Sequence, residues 1–321
     1  MSFMNHHSSV VCFGELLIDM ISANTGSLIA SKEFLKKFGG APGNTASGLA
    51  KLGVPVSFIG KVGNDPFGQF LKASMDKYGV NTNGLIMSKT DKTTLAFVSL
   101  TATGERDFYF FKGAHDTIAP TEVTLPPNTY IFHFGSLTQI SVSANKTTEK
   151  LIDLARKQGA ILSYDPNVRE ALWGDLHRAR LVILDTARQV DMLKVNEEEA
   201  MLLSKESDIP ASVKKLYTNN LDILVVTMGK LGCYYKTAKY EGAVPSIQVQ
   251  VVDTTGAGDA FNAGFIYGLY KAKKRASQLS KAELEGILHQ AVIIGSLTTT
   301  KKGAVTAFPS KKDIKKHIGG K

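Results

Sequence analysis

A chain of 321 residues, 43% hydrophobic and 21% charged, has the length and balance of a folded domain, which excludes wholesale disorder and a coiled-coil fibre. Residues 10–21 are broken by Glu15 and Asp19 and no apolar run approaches a spanning length, so no membrane helix is expected. Residues 1–9 lack the basic-then-apolar order of a secretory signal. The formal charge of +9 is local, because residues 301–321 hold seven Lys against the single acid Asp313.

In chain order, short apolar runs alternate with amphipathic segments. A strand is expected over 10–13, a helix over 44–52, a strand over 56–59, a helix over 67–77, then strand 130–134, helix 144–157 and strand 161–164. Strands at 192–195 and 223–227 flank a helix at 211–217, and helices over 257–271 and 281–299 follow. This order argues for an α/β fold with a mostly parallel sheet and helices on both faces. No linker or repeat divides the chain. Lys311, Lys312, Lys315 and Lys316 recur at helical spacing without interleaved aromatics, the solvated face of a terminal helix rather than a nucleic-acid arm. Cys12 and Cys233 each lie in an apolar run without a CxxC partner, so two reduced, buried thiols in a cytoplasmic protein are expected. Residues 1–9 and 318–321 are assigned no function.

Two segments break the alternation. Residues 20–38 are short and polar. Residues 93–111 read as a hairpin around Thr103-Gly104, with no helix to cover it. It serves as a lid over a cleft or as a dimerising edge.

Two glycine-rich stretches carry the chemistry. In Gly39-Gly40-Ala41-Pro42-Gly43-Asn44 the glycines allow close backbone approach, and a helix start offers free N–H groups to a ligand. The second, Asp253-Thr254-Thr255-Gly256-Ala257-Gly258-Asp259, follows a strand-like run at 247–252 and opens an apolar helix. It lacks the third glycine of a dinucleotide fingerprint, which speaks against a nicotinamide oxidoreductase, and the Gly-Lys-Ser/Thr of a Walker loop is absent from the chain. What remains is an arc of amides from Gly256 to Gly258 at a helix start, followed at once by a carboxylate. Such donors stabilise charge on transferring phosphoryl oxygens, and Asp259 can take a proton from an attacking hydroxyl.

The two stretches, at this separation and in this order, resemble the two signatures of the ribokinase/PfkB carbohydrate kinase family over essentially the whole chain. Val11-Cys12-Phe13-Gly14-Glu15-Leu16-Leu17-Ile18-Asp19, Asp165-Pro166-Asn167-x-Arg169 and Thr300-Lys301-Lys302-Gly303-Ala304 are similar to the fructokinases within it. The resemblance implies one ribokinase-like domain over 1–321, its central sheet mostly parallel, with a small β-sheet lid drawn from about 20–38 and 89–117. It implies Asp259 as catalytic base and Gly256, Ala257 and Gly258 as an anion hole. Asp19, Gly40 and Asn44 would bind sugar hydroxyls, Arg169 would lie at the substrate and phosphate end of the cleft, and Arg106 and Phe108 would reach the sugar from the lid. Asn196 and Glu199 match the family's Asn-x-x-Glu motif, with Glu199 organising Mg²⁺ through water, while Glu197 and Glu198 face solvent. Thr227, Gly229 and Gly232 would contact ATP, and Asp253 and Thr255 fall where relatives bind potassium. The implied reaction is ATP-dependent phosphorylation of a primary hydroxyl, D-fructose to fructose 6-phosphate. 2-Keto-3-deoxygluconate or ribose are the substrate alternatives, and a non-catalytic sensor would have lost Asp259. A homodimer through the lid is implied, with no nucleic-acid or membrane partner.

Overall fold

Residues 9–100 and 106–318 are described by the computed structural model, apart from the side chains of Leu100, Arg106 and Asp107. The turn expected at Thr103-Gly104 and most of the two chain ends lie outside these residues. The strands are β1 (Ser9–Phe13), β2 (Leu17–Ser22), β3 (Phe34–Gly39), β4 (Val56–Gly63), β5 (Asn81–Ser88), β6 (Leu95–Leu100), β7 (Arg106–Phe111), β8 (Thr129–Phe134), β9 (Ile161–Tyr164), β10 (Met192–Asn196), β11 (Ile223–Thr227), β12 (Cys233–Lys236) and β13 (Glu241–Val244). The helices are α1 (Ala41–Lys51), α2 (Pro66–Tyr78), α3 (Val142–Lys157), α4 (Glu170–Trp173), α5 (Leu176–Ala187), α6 (Glu197–Ser204), α7 (Ile209–Leu216), α8 (Ala257–Ala272), α9 (Lys281–Thr298) and α10 (Lys311–Ile318).

A nine-stranded sheet runs β13-β12-β11-β10-β9-β8-β1-β4-β5. It is parallel from β5 to β11, and β12 and β13 add an antiparallel edge. Alternation on β1 shows why it is central. Val10 and Cys12 enter one apolar layer and Val11 and Phe13 the other, all wholly buried, each worth about 1.5–3 kcal/mol when fully buried. From β1 the chain moves to β4 on one side and later to β8 on the other. The order therefore reverses at β1, and a crevice opens beyond the carboxyl ends of the strands.

A second sheet, β3-β2-β6-β7, is antiparallel except where β2 and β6 run together. It draws strands from both segments that break the alternation, and it begins earlier than expected, at Leu17. Helix α8 reaches the crevice because it packs tightly on α9. A Cβ at Gly264 would lie 2.9 Å from Ala291 Cα, and one at Gly268 would strike Ile287.

Several boundaries differ from the sequence expectation. Helix α1 begins at Ala41 rather than Asn44, because the Glu15 carboxylate accepts the Ala41 N–H at 2.9 Å and Pro42 needs no N–H partner at a helix start. Strand β4 continues to Gly63 because β5 pairs with it residue by residue from Gly60 to Gly63; at Gly60 a Cβ would lie 2.8 Å from the Gly14 carbonyl. The run 247–252 is no strand. Val251 and Val252 are exposed and Pro245 has no N–H with which to prolong β13. Instead Val252 and Asp253 donate to the Thr299 carbonyl at 2.8 and 3.1 Å. The lysines of α10 are exposed around buried Ile314, and Cys12 and Cys233 are buried, unbonded thiols.

Candidate active site

The crevice is lined from three directions. From β1 comes the turn Gly14-Glu15, with the α1 start beside it. From β9 and β10 come Asp165 and Lys194. From the far side comes the first turn of α8.

Gly256 caps α8 in the left-handed region at φ 77° with no side chain over the helix end. A Cβ there would lie 2.6 Å from Ala304 Cβ, so only glycine fits between the cap and the 300–304 run. The Ala257 N–H donates to the Thr254 carbonyl at 3.2 Å. Of the three amides expected in the arc, that of Ala257 is thus engaged within its own turn; the first helical bond of α8 is from the Ala260 N–H to the Gly256 carbonyl at 2.8 Å, so the Asp259 amide also stands ahead of the ladder. Asp259 follows in the first turn.

Asp259 Oδ2 accepts from Asn44 Nδ2 at 2.8 Å, which joins the two glycine-rich stretches at the side chain of greatest interest. Asn44 is buried and its Oδ1 has no hydrogen-bond partner among the described residues. Burial raises the Asp259 carboxyl to about 6; the Asn44 bond opposes this, Asp165 adds to it, and Lys194 and Arg169 oppose it. The group is thus half-poised near neutrality, as a proton acceptor should be.

Four residues with no role assigned from sequence complete the floor. Glu15, buried, is raised to about 7 chiefly by burial, with Arg169 and its backbone bonds opposing and Asp259 adding. Asp165 Oδ2 accepts from Lys194 Nζ at 2.9 Å and from Asn262 Nδ2 at 2.6 Å. Burial works against the Lys194 charge, but the carboxylates of Asp165, Glu199 and Asp259 hold its pKa above the ordinary value. Asn262 was legible in principle: it lies one turn after Asp259, on the same helix face. Glu15, Asp165 and Lys194 needed the strand register.

The remaining expected residues divide into near and peripheral. Asp19 on β2 lies over Gly39, where a Cβ would collide with its carboxylate, next to Gly40, whose φ is 104°. Arg169 lies beyond the end of β9, at the cap of α4. β9 stops at Tyr164, Pro166 cannot extend the ladder, and Arg169 is exposed just before α4. Its charge still reaches Glu15 and Asp259. Phe108 is exposed on β7, and the Arg106 side chain lies outside the described residues.

Asn196 and Glu199 form a reciprocal cap on α6: Asn196 Oδ1 accepts the Glu199 N–H at 2.8 Å and Glu199 Oε2 accepts the Asn196 N–H at 2.9 Å. Glu199 Oε1 takes the Val168 N–H at 2.7 Å. Burial and then Asp165 raise its carboxyl. Glu198 is exposed, whereas Glu197 is half-buried. Thr227 ends β11, and a tight turn follows with Gly229 at φ 51° and Gly232 at φ 98°. Asp253 Oδ1 accepts the Thr255 N–H and hydroxyl at 2.9 and 2.6 Å, and its Oδ2 accepts the Gly303 N–H at 2.8 Å. Among the described residues no helix is long and apolar enough to cross a membrane.

Comparison with known proteins agrees with the fold. The family model described as pfkB family carbohydrate kinase matches residues 7–311. Fructokinase-1 of Oryza sativa subsp. japonica is 39% identical over 316 residues, 96% of each chain. The crystal structure of a fructokinase with bound ATP from Xylella fastidiosa superposes with a TM-score of 0.89 at 31% identity, covering 98% of both chains. A double mutant of a Vibrio cholerae O395 fructokinase, with fructose, ADP and potassium ion bound, gives 0.87 at 26% identity over 97% of this chain and 98% of that one.

Proposed function

Because this chain belongs to the pfkB family of carbohydrate kinases, an ATP-dependent class, we propose that its acceptor is D-fructose, converted to fructose 6-phosphate. The observation that carries the chemistry is the first turn of α8, where a helix start with no side-chain cap adjoins a carboxylate held by Asn44.

In the proposed step Asp259 removes the proton of the primary hydroxyl as its oxygen attacks the terminal phosphorus of ATP. The bridging P–O bond breaks, its electrons leave with ADP, and the Gly256 and Gly258 amides face the charge on the transferred oxygens. The base accounts for about 10²–10⁴-fold of the rate and each amide for about 10²–10³-fold. Asp19, Gly40 and Asn44 are assigned to sugar hydroxyls. Arg169 and Phe108 are assigned to substrate binding, and Thr227, Gly229 and Gly232 to the nucleotide.

The Asn196–Glu199 pair fits Mg²⁺ only through its waters, since backbone N–H groups already engage both side chains. When bound, magnesium would neutralise phosphate charge. The hard oxygens of Asp253 and Thr255 suit potassium, which would reinforce the cap beside Gly256. We assign a dimer contact to the small sheet, where Tyr109 and Phe111 are 59% and 53% exposed and their rings stack edge-on at 5.0 Å.

The substrate is tested by initial rates with ATP and fructose, 2-keto-3-deoxygluconate, ribose or adenosine. Fructose is expected to show the largest kcat/KM; a far larger value for ketodeoxygluconate would overturn the assignment. Relatives whose names carry fructokinase and whose chains match end to end favour fructose.

A further inference from the structure

We infer that Asp165 is a positioning residue of the phosphoryl transfer: it holds the Lys194 ammonium beneath Gly258, where charge builds on the transferred group. This deepens the proposed function and rests on it. In the sheet, Ser163 pairs with Met192 and Tyr164 with Leu193, so the next step along β9 and β10 brings Asp165 opposite Lys194. Their side chains meet at 2.9 Å. Asn262 clamps the same Asp165 oxygen at 2.6 Å. A Cβ on Gly258 would lie 3.1 Å from Lys194 Nζ, which puts the ammonium directly under the amide arc.

Three features set this pair apart from one that merely holds the fold. First, its side chains are only 11% and 6% exposed, and pairs so buried seldom recover their desolvation cost. Second, Asp165 Oδ1 is buried with no hydrogen-bond partner among the described residues, which a purely structural carboxylate would not leave. Third, the pair faces the base. Asp165 and Lys194 act on Asp259 with opposite signs, alongside Arg169, Glu15 and the neutral Asn44. Held by Asp165, the lysine ammonium stays against Gly258 at the start of α8.

The test is kinetic. An Asp165→Asn/Lys194→Met double variant removes both charges of the pair together. It should lose about 10²-fold in kcat while KM for ATP and fructose stays within about threefold. In Asp165→Asn alone, the acid limb of kcat/KM against pH should move down by about one unit, because losing a neighbouring negative charge eases ionisation of Asp259. A double variant with nearly wild-type kcat, or an acid limb that does not move, overturns the inference. If wild-type enzyme turns over none of the sugars, the proposed function fails instead. The Asp259 titration midpoint in Asp165→Asn, read by carboxyl ¹³C NMR, then decides the inference without turnover: a downward shift upholds it and an unchanged midpoint refutes it. The same measurement decides if the double variant does not fold.

Discussion

Asn44 Nδ2 donates to Asp259 Oδ2 at 2.8 Å across 215 positions of sequence. The bond joins the two glycine-rich stretches, tying the proposed base on α8 to the start of α1.

The first consequence concerns pH. Asp259 stands at about 6 rather than 3.8, and a base works only when deprotonated. Activity is therefore lost as pH falls through about 6. A pH–rate profile of kcat/KM with fructose should show this limb; a limb near 4 would mean that the base is an ordinary exposed carboxylate.

Stability should move in the opposite sense. An acid raised in the folded state costs stability once ionised, from above its unfolded value to fully above about 6, and costs nothing where both states are protonated. Asp259→Asn keeps an acceptor for Asn44 and removes the charge. It should therefore unfold at higher temperature than wild type near pH 8, by on the order of 1–2 kcal/mol after allowing for partial exposure. The gap should close below pH of about 4. Equal melting curves at pH 8 would refute the strained charge.

Glu15 reaches Asp259 through α1, by accepting the Ala41 N–H. Glu15→Gln retains a carbonyl acceptor and should stay within about threefold of wild-type kcat/KM. Glu15→Ala strips the cap, costing about 1 kcal/mol of stability, and should lose about tenfold in kcat/KM. Identical kinetics for the two variants would remove Glu15 from this chain of contacts.

Gly256→Ala introduces a side chain at φ 77° and against Ala304. Backbone strain alone is worth about 1–3 kcal/mol, and displacing the amides should lower kcat by about 10²-fold. Thermal melts and initial rates check both. Wild-type kcat would show that the arc plays no part.

Much of this arrangement was legible in sequence because its determinants are local. Val10 to Phe13 reads as a strand since each residue is apolar on both faces. Much the same holds for Gly256 to Asp259, which reads as an amide arc at a helix start because Gly-x-Gly is followed at once by a carboxylate and an apolar helix. What escaped depended on distant partners. The start of α1 at Ala41 is set by Glu15, 26 positions away. The Asp165–Lys194 pair exists only once β9 and β10 are in register. Glu199 is expected with Asn196 to organise Mg²⁺ through water, and nothing local shows that it also accepts the Asn196 and Val168 amides. The run 247–252 has strand composition, but Pro245 denies it a ladder.

Asp259 as the base is tested most directly by measuring kcat and ligand affinity together in Asp259→Asn. Turnover of ATP and fructose should fall by at least about 10²-fold, while calorimetric Kd values for both ligands change by no more than about threefold. Turnover close to wild type in that variant would contradict the assignment.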